Sequence, residues 1–129
     1  MKRLALLALI AASPTFAQDT SPAKLIAGYE AQSGKAADPA AGRAFYLAAH
    51  GTGKPETPSC TTCHTKSPKA SGQTRVGKVI DPLAPSANRA RFTDSAKVEK
   101  WFGRNCDSVL GRACTAAEKA NLIAWLASL

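Results

Sequence analysis

The chain has 129 residues, with 17 basic and 9 acidic side chains and a net charge of +8. A length of this order accommodates a single domain. The basic residues are scattered and no nucleic-acid motif accompanies them, so the charge does not point to a nucleic acid. No carboxylate pair or Ser/His/Asp set stands out, which leaves hydrolytic catalysis without support.

The first residues read as a secretory signal. Lys2 and Arg3 supply the positive start, and Leu4 to Ala12 form an apolar run too short to span a bilayer. Pro14-Thr15-Phe16-Ala17 offers small residues at the two positions a signal peptidase reads. Residues 1–17 are therefore expected to be removed, leaving 18–129 as one domain in the periplasm. Without Lys2 and Arg3 that domain keeps 15 basic against 9 acidic residues, a net charge of +6. A basic face that steers an acidic redox partner is one use for that charge, and a well-solvated surface is another.

Four helices can be drawn, and no strand run stands out. Ser21-Pro22 reads as N-cap and first helical position. Leu25, Ile26 and Tyr29 follow at helical spacing, and Gly34 is the stop. Asp38-Pro39 repeats the start signal. Gly42, Phe45, Tyr46 and Ala49 share a face, with Gly51 as the stop. Gly51 to Ser59 reads as loop. Lys66 to Arg91 is long and irregular, holding Pro68, Pro82 and Pro85. A bare loop of that length is unusual in a compact domain unless it wraps something. A third helix is expected from Asp94, with Val98, Trp101 and Phe102 as its apolar stripe and Gly103 as its end. The fourth has a capping box, Thr115-x-x-Glu118. Leu122, Trp125, Leu126 and Leu129 then fall on one face.

Between the loops lies Cys60-Thr61-Thr62-Cys63-His64. C-x-x-C-H is the signature of covalent haem c attachment: two thiols form thioethers to the porphyrin, and the adjoining imidazole becomes an axial ligand. The competing uses fit less well. A zinc site needs four ligands, yet the other cysteines lie more than 40 residues away and His50 is the only other histidine. A thioredoxin-like site needs a βαβ pattern, and none is visible. One covalent haem c on Cys60, Cys63 and His64 is the expectation. Cys106 and Cys114 remain, and in an oxidising compartment a disulfide between them fits.

The sixth ligand is a separate question. Met1 is the only methionine, so the methionine of ordinary electron-transfer cytochromes c is missing. His50, a lysine, Asn105 or no ligand at all remain open on the residues alone. His50 sits beside Gly51 at a helix end and is better placed for packing than for distal ligation.

The chain resembles the class I cytochromes c. Gly42-x-x-Phe45 and Leu122-x-x-Trp125-Leu126 are similar to that family's crossed terminal helices. The resemblance implies an all-α fold of about four helices around the haem, with long haem-wrapping loops. Pro82-Leu83 is similar to the family's proline whose carbonyl accepts a hydrogen bond from the proximal imidazole, here His64. Pro85 competes for that role. Trp101-Phe102-Gly103-Arg104-Asn105-Cys106 and the segment up to Cys114 resemble the sphaeroides haem protein group, relatives of cytochrome c″. In that group the residue just before the first disulfide cysteine is the distal ligand, which implies Asn105.

The resemblance further implies that Asn105 holds ferric iron and lets go on reduction, opening the iron to oxygen, nitric oxide or carbon monoxide. The electron would come from a partner cytochrome, membrane-linked or dihaem. Three classes are therefore in play: a redox-gated binder of small ligands, a plain electron carrier with a fixed sixth ligand, and a thiol–disulfide protein using Cys106 and Cys114.

Overall fold

The computed structural model describes residues 18–129, so the expected signal segment, residues 1–17, lies outside the described residues. Five helices and one small antiparallel ladder make up the described chain: α1 Pro22–Ser33, α2 Pro39–Leu47, α3 Thr61–His64, β1 Gly72–Gln73, β2 Val79–Ile80, α4 Ser95–Leu110 and α5 Ala116–Ala127.

Each long helix starts where a side chain satisfies otherwise unpaired backbone amides. Ser21 Oγ accepts from Lys24 N–H ahead of α1 and Asp38 from two amides ahead of α2, each helix opening on proline. Asp94 accepts from Lys97 N–H ahead of α4. The capping box of α5 is complete: Thr115 accepts from Glu118 N–H, and Glu118 accepts from Thr115 N–H.

Helix α5 is the axis of the fold and packs on both α1 and α2. This explains why its buried set is wider than the expected stripe. Ala120 and Ile123 are fully buried along with Leu126, and Trp125 is buried too. The crossing with α2 is close because Gly42 has no side chain. A β-carbon there would lie 2.0 Å from the Asn121 carbonyl oxygen. The same asparagine accepts from Asp38 N–H at 2.7 Å, which fixes the register of the two helices. On the other side Tyr29 of α1 meets Phe102 of α4 edge-on at 6.3 Å, and its hydroxyl donates to Glu99.

Three expectations are corrected. The third long helix does not end at Gly103 but runs on to Leu110, and Gly111 is the residue that turns left-handed, at φ +69°. Gly103 has helical neighbours on both sides, no positive φ and open space around it. A glycine inside a strong amphipathic pattern costs about 1 kcal/mol, too little to stop a helix whose apolar face continues through Cys106, Val109 and Leu110. Helix α2 stops at Leu47, earlier than Gly51. The irregular stretch after the C-x-x-C-H motif contains the β1–β2 hairpin, with Gly72 opposite Ile80 and Gln73 opposite Val79.

Candidate haem-binding site

The C-x-x-C-H pentapeptide forms a single helical turn, α3. Ser59 prepares it by accepting from Thr61 N–H at 3.2 Å. The turn ends abruptly at Thr65, which has φ +63°, a conformation that β-branched residues rarely adopt. Tyr46 of α2 is completely buried beneath it, with its hydroxyl 2.7 Å from the Thr65 carbonyl and 3.1 Å from that of His64. The ring of Tyr46 in turn lies 5.0 Å from that of Trp125. Tyr46 thus ties the short turn to α2 and, through Trp125, to α5.

Above the turn is a cavity of about 600 Å³, within the range of small-molecule and cofactor sites. Cys60, Cys63 and His64 line one part of it, and Asn105 and Cys106 of α4 another. Leu83, Phe92, Val98, Phe102 and Leu126 supply apolar wall. Phe45 lines it as well, whereas Trp125 backs Tyr46 without lining it. His50 is also outside: its Nε2 lies 2.9 Å from the Phe45 carbonyl oxygen and its ring packs on Phe45 at 4.9 Å. The sequence placed Trp101 within an apolar stripe; it reaches the cavity but is 48% exposed, with Lys100 and Arg104 against its ring.

The protonation states suit an iron porphyrin better than the alternatives. Burial, and then the positive charge of Arg91, push the His64 imidazole down to about 4, so it is neutral near pH 7 and keeps a lone pair for a metal. Burial pushes the Cys60 thiol up to about 11. A cysteine working in thiol–disulfide exchange has its thiolate favoured, the opposite shift. Among the described residues no three or more His, Cys, Asp or Glu side chains gather as a metal cluster. The roomy apolar cavity, two thiols and one neutral imidazole fit a haem attached through thioethers.

Arg91 and Phe92 belong to the site and were not anticipated. Arg91 is half-buried; its Nε donates to the Pro82 carbonyl at 2.8 Å and its Nη2 to that of Asp81 at 2.6 Å. The family resemblance implied the Pro82 carbonyl as acceptor for the His64 imidazole, with Pro85 competing. The hydrogen bond that the structure gives the Pro82 carbonyl comes from Arg91. Phe92 has φ +62°. No sequence signal marks a phenylalanine for that conformation.

Cys106 and Cys114 form a disulfide, with Cα atoms 5.6 Å apart. Both are buried. It joins the end of α4 to the approach to α5. Asn105, expected on a turn after a helix stop, stands instead inside α4, one residue before the bridge. One turn later the helix is gripped by the segment that leads into the haem-attachment motif. Lys54 N–H donates to the Ser108 carbonyl at 2.7 Å, and the Thr57 and Ser108 hydroxyls meet at 2.8 Å. Gly53 allows this contact, since a β-carbon would lie 2.3 Å from that same carbonyl.

Crossed helices around an attachment turn of this kind make the fold that of a c-type cytochrome. Residues 32–126 match a family described as a domain of unknown function, DUF1924. Across 128 residues the chain is 60% identical to cytochrome c-type protein SHP of Cereibacter sphaeroides, covering 99% of each. The solved structure of oxidised SHP, described as an oxygen-binding cytochrome c, aligns with a TM-score of 0.84 at 64% identity, over 86% of this chain and 99% of that one. The solution structure of Methylophilus methylotrophus cytochrome c″, described in terms of haem-ligand detachment, aligns with a TM-score of 0.70 at 37% identity, over 84% and 93%. The chain belongs to the DUF1924 family and to the SHP group of c-type cytochromes. Its kinship implies haem c as the cofactor.

Proposed function

We propose that the protein is an exported, periplasmic monohaem cytochrome whose distal ligand is released on reduction. Cys60 and Cys63 tether the haem, His64 is the proximal ligand and Asn105 the distal one. Bound haem c supplies one-electron chemistry and, when an axial position is free, a site for a small ligand such as oxygen or nitric oxide. The observation that carries this reading is that Asn105 lines the same cavity as Cys60, Cys63 and His64.

The chemistry of the amide explains why the distal side would open. A carboxamide oxygen is a hard, neutral donor that suits ferric iron better than ferrous iron. Gain of an electron therefore weakens the hold of Asn105 more than it would that of a methionine or histidine. The oxygen binding described for SHP and the ligand detachment described for cytochrome c″ support the same behaviour here. Residues 1–17 are the export signal and 18–129 the working domain. The electron comes from a partner cytochrome, membrane-linked or dihaem.

One observation favours a second reading, a plain electron carrier with a fixed sixth ligand. Asn105 is mounted inside a helix and next to a disulfide, which limits its travel. The third reading, thiol–disulfide exchange, is disfavoured because both sulfur-bearing residues are buried.

Absorption and spin-state spectra of both oxidation states, with carbon monoxide added to the reduced protein, separate the first two. Release of Asn105 predicts a six-coordinate ferric state, a five-coordinate high-spin ferrous state and rapid carbon monoxide binding. Asn105→Ala should abolish the six-coordinate ferric signature and leave carbon monoxide binding intact. A low-spin ferrous protein slow to bind carbon monoxide would establish the carrier instead.

A further inference from the structure

Among the described residues the most exposed large apolar side chain is Val76, at 92%, and Val79 beside it is 64% exposed. Both belong to the β1–β2 hairpin, whose tip is well ordered by its own bonds. Thr74 N–H donates to the Lys78 carbonyl at 2.8 Å, Gly77 N–H to that of Thr74 at 2.9 Å, and Gln73 Nε2 to that of Gly77 at 3.0 Å. The two valines are therefore presented to solvent by a fixed turn.

The segment that carries them has charge of one sign. From Thr57 to Ile80 the chain carries Lys66, Lys69, Arg75 and Lys78 and no acidic residue. Carboxylates flank the segment on both sides: Glu56, 3.0 Å from Arg75, and Asp81, directly after Ile80. The base of the hairpin lies directly on the haem-attachment turn: a β-carbon on Gly72 would sit 2.0 Å from the Cys63 carbonyl oxygen. A shallow surface cleft walled by Thr62, Gln73, Arg75 and Val79 opens there. Cys63 is the residue this cleft shares with the large cavity.

We propose that the hairpin is the docking surface for the acidic face of an electron-transfer protein, with Val76 and Val79 at its centre and Lys66, Lys69 and Lys78 around them. The proposal rests on the redox reading of the haem site and names where the electron enters. One electron leaves the reduced donor and one arrives at the haem, beside Cys63. A small apolar centre inside a basic rim is the composition of a transient contact: the charges steer the encounter and the valines exclude water from it. An anionic membrane surface is the weaker occupant, since two valines without Trp, Phe or Leu offer little to insert.

The test is stopped-flow reduction of the ferric holoprotein by reduced flavodoxin, a small acidic donor, with dithionite as the reductant that needs no docking. Lys69→Glu with Lys78→Glu should slow the flavodoxin reaction by about tenfold or more at low ionic strength, the lower end of electrostatic steering, and the difference should shrink as salt is added. Val76→Ser with Val79→Ser should slow it without changing the salt dependence. Lys35→Glu with Arg43→Glu, an equal charge change on the α1–α2 side, should leave it within about twofold of native, because steering acts where charge lies near the contact.

Equal slowing by both charge-reversed pairs would overturn the proposal. So would retention of the native protein, but not the Lys69/Lys78 variant, on phosphatidylglycerol vesicles with unchanged flavodoxin rates. If dithionite produced no haem spectral change in the native protein, the redox reading itself would have failed, which is a different result.

Discussion

At Gly42 the constraint is steric and absolute. The atom nearest to an added β-carbon is backbone on α5, which cannot rotate aside. Gly42→Ala must therefore push α2 off α5, a cost of about 1–3 kcal/mol by analogy with overpacked cores. Urea unfolding of the holoprotein should show a lower midpoint with an unchanged slope. Gly103 behaves in the opposite way. It lies mid-helix in open space, so Gly103→Ala should stabilise the protein by about 0.5–1 kcal/mol through the lost freedom of the unfolded chain. A destabilised alanine variant would show that α4 breaks at this point. The contrast explains what residue-level reading of the sequence missed. Both glycines are equally visible as letters. Gly42 gains its meaning from a resemblance that implies a helix crossing, whereas Gly103 reads as a stop because its surroundings cannot be known from sequence.

Among the elements, α5 was legible because its signals are local. The capping box lies within four residues and reads directly as a start. Arg112 extends it, placing Nη1 2.9 Å and Nη2 2.8 Å from the two Glu118 carboxylate oxygens. The hydrogen bond from Arg112, aided by those from Thr115, holds the Glu118 carboxyl below its usual range. A carboxyl whose folded value is depressed contributes stability above its unfolded value. That contribution is lost as pH falls through the depressed folded value. Stability should therefore decline on acidification below the ordinary carboxylate range. Glu118→Gln should remove part of that acid sensitivity while keeping a weaker cap. Unfolding midpoints measured at pH 7 and at pH 3 for both proteins provide the comparison. The hairpin was not legible for the opposite reason. Its strands are two residues each, too short for any alternation to register. Its base is seated where Gly72 fits closely against Cys63, a tertiary contact that no periodicity announces. The α3 turn is similar: four residues carry no helical period, and Ser59 and Tyr46 hold it from outside. Cys60, Cys63, His64 and Asn105 stand out in the sequence as expectations because a motif and a family resemblance mark them, and all four line the cavity. Arg91 and Phe92, on the wall of the same cavity, do not stand out, because bonds to Asp81 and Pro82 and a left-handed φ place them.

At the scale of the whole molecule the two faces of the cavity hang on one long helix and one loop. The turn bearing Cys60, Cys63 and His64 is fastened to α2 through Tyr46, while Asn105 rides on α4. The two are linked where residues 53–57 grip Ser108, and the end of α4 is pinned toward α5 by Cys106–Cys114. The bridge closes a short loop, with a sequence separation of 8. On chain-entropy grounds it stabilises the fold by about 2.5 kcal/mol, a figure set by the loop length alone. Cys106→Ser with Cys114→Ser should lower the unfolding free energy by roughly that amount, with the serine hydroxyls adding a burial cost of their own. The second consequence distinguishes a structural staple from a part of the ligand mount. Helix α4 would remain gripped at Ser108 and paired with α5 through Glu99 and Lys119, but would lose its covalent tie at the Asn105 end, so Asn105 would hold its position less tightly. On the proposed ligation by Asn105, the ferric spectrum of the double variant should then show a mixture of six- and five-coordinate iron at temperatures where the protein is fully folded. A purely six-coordinate ferric protein with only the stability loss would mean that the Ser108 clamp alone sets where Asn105 stands.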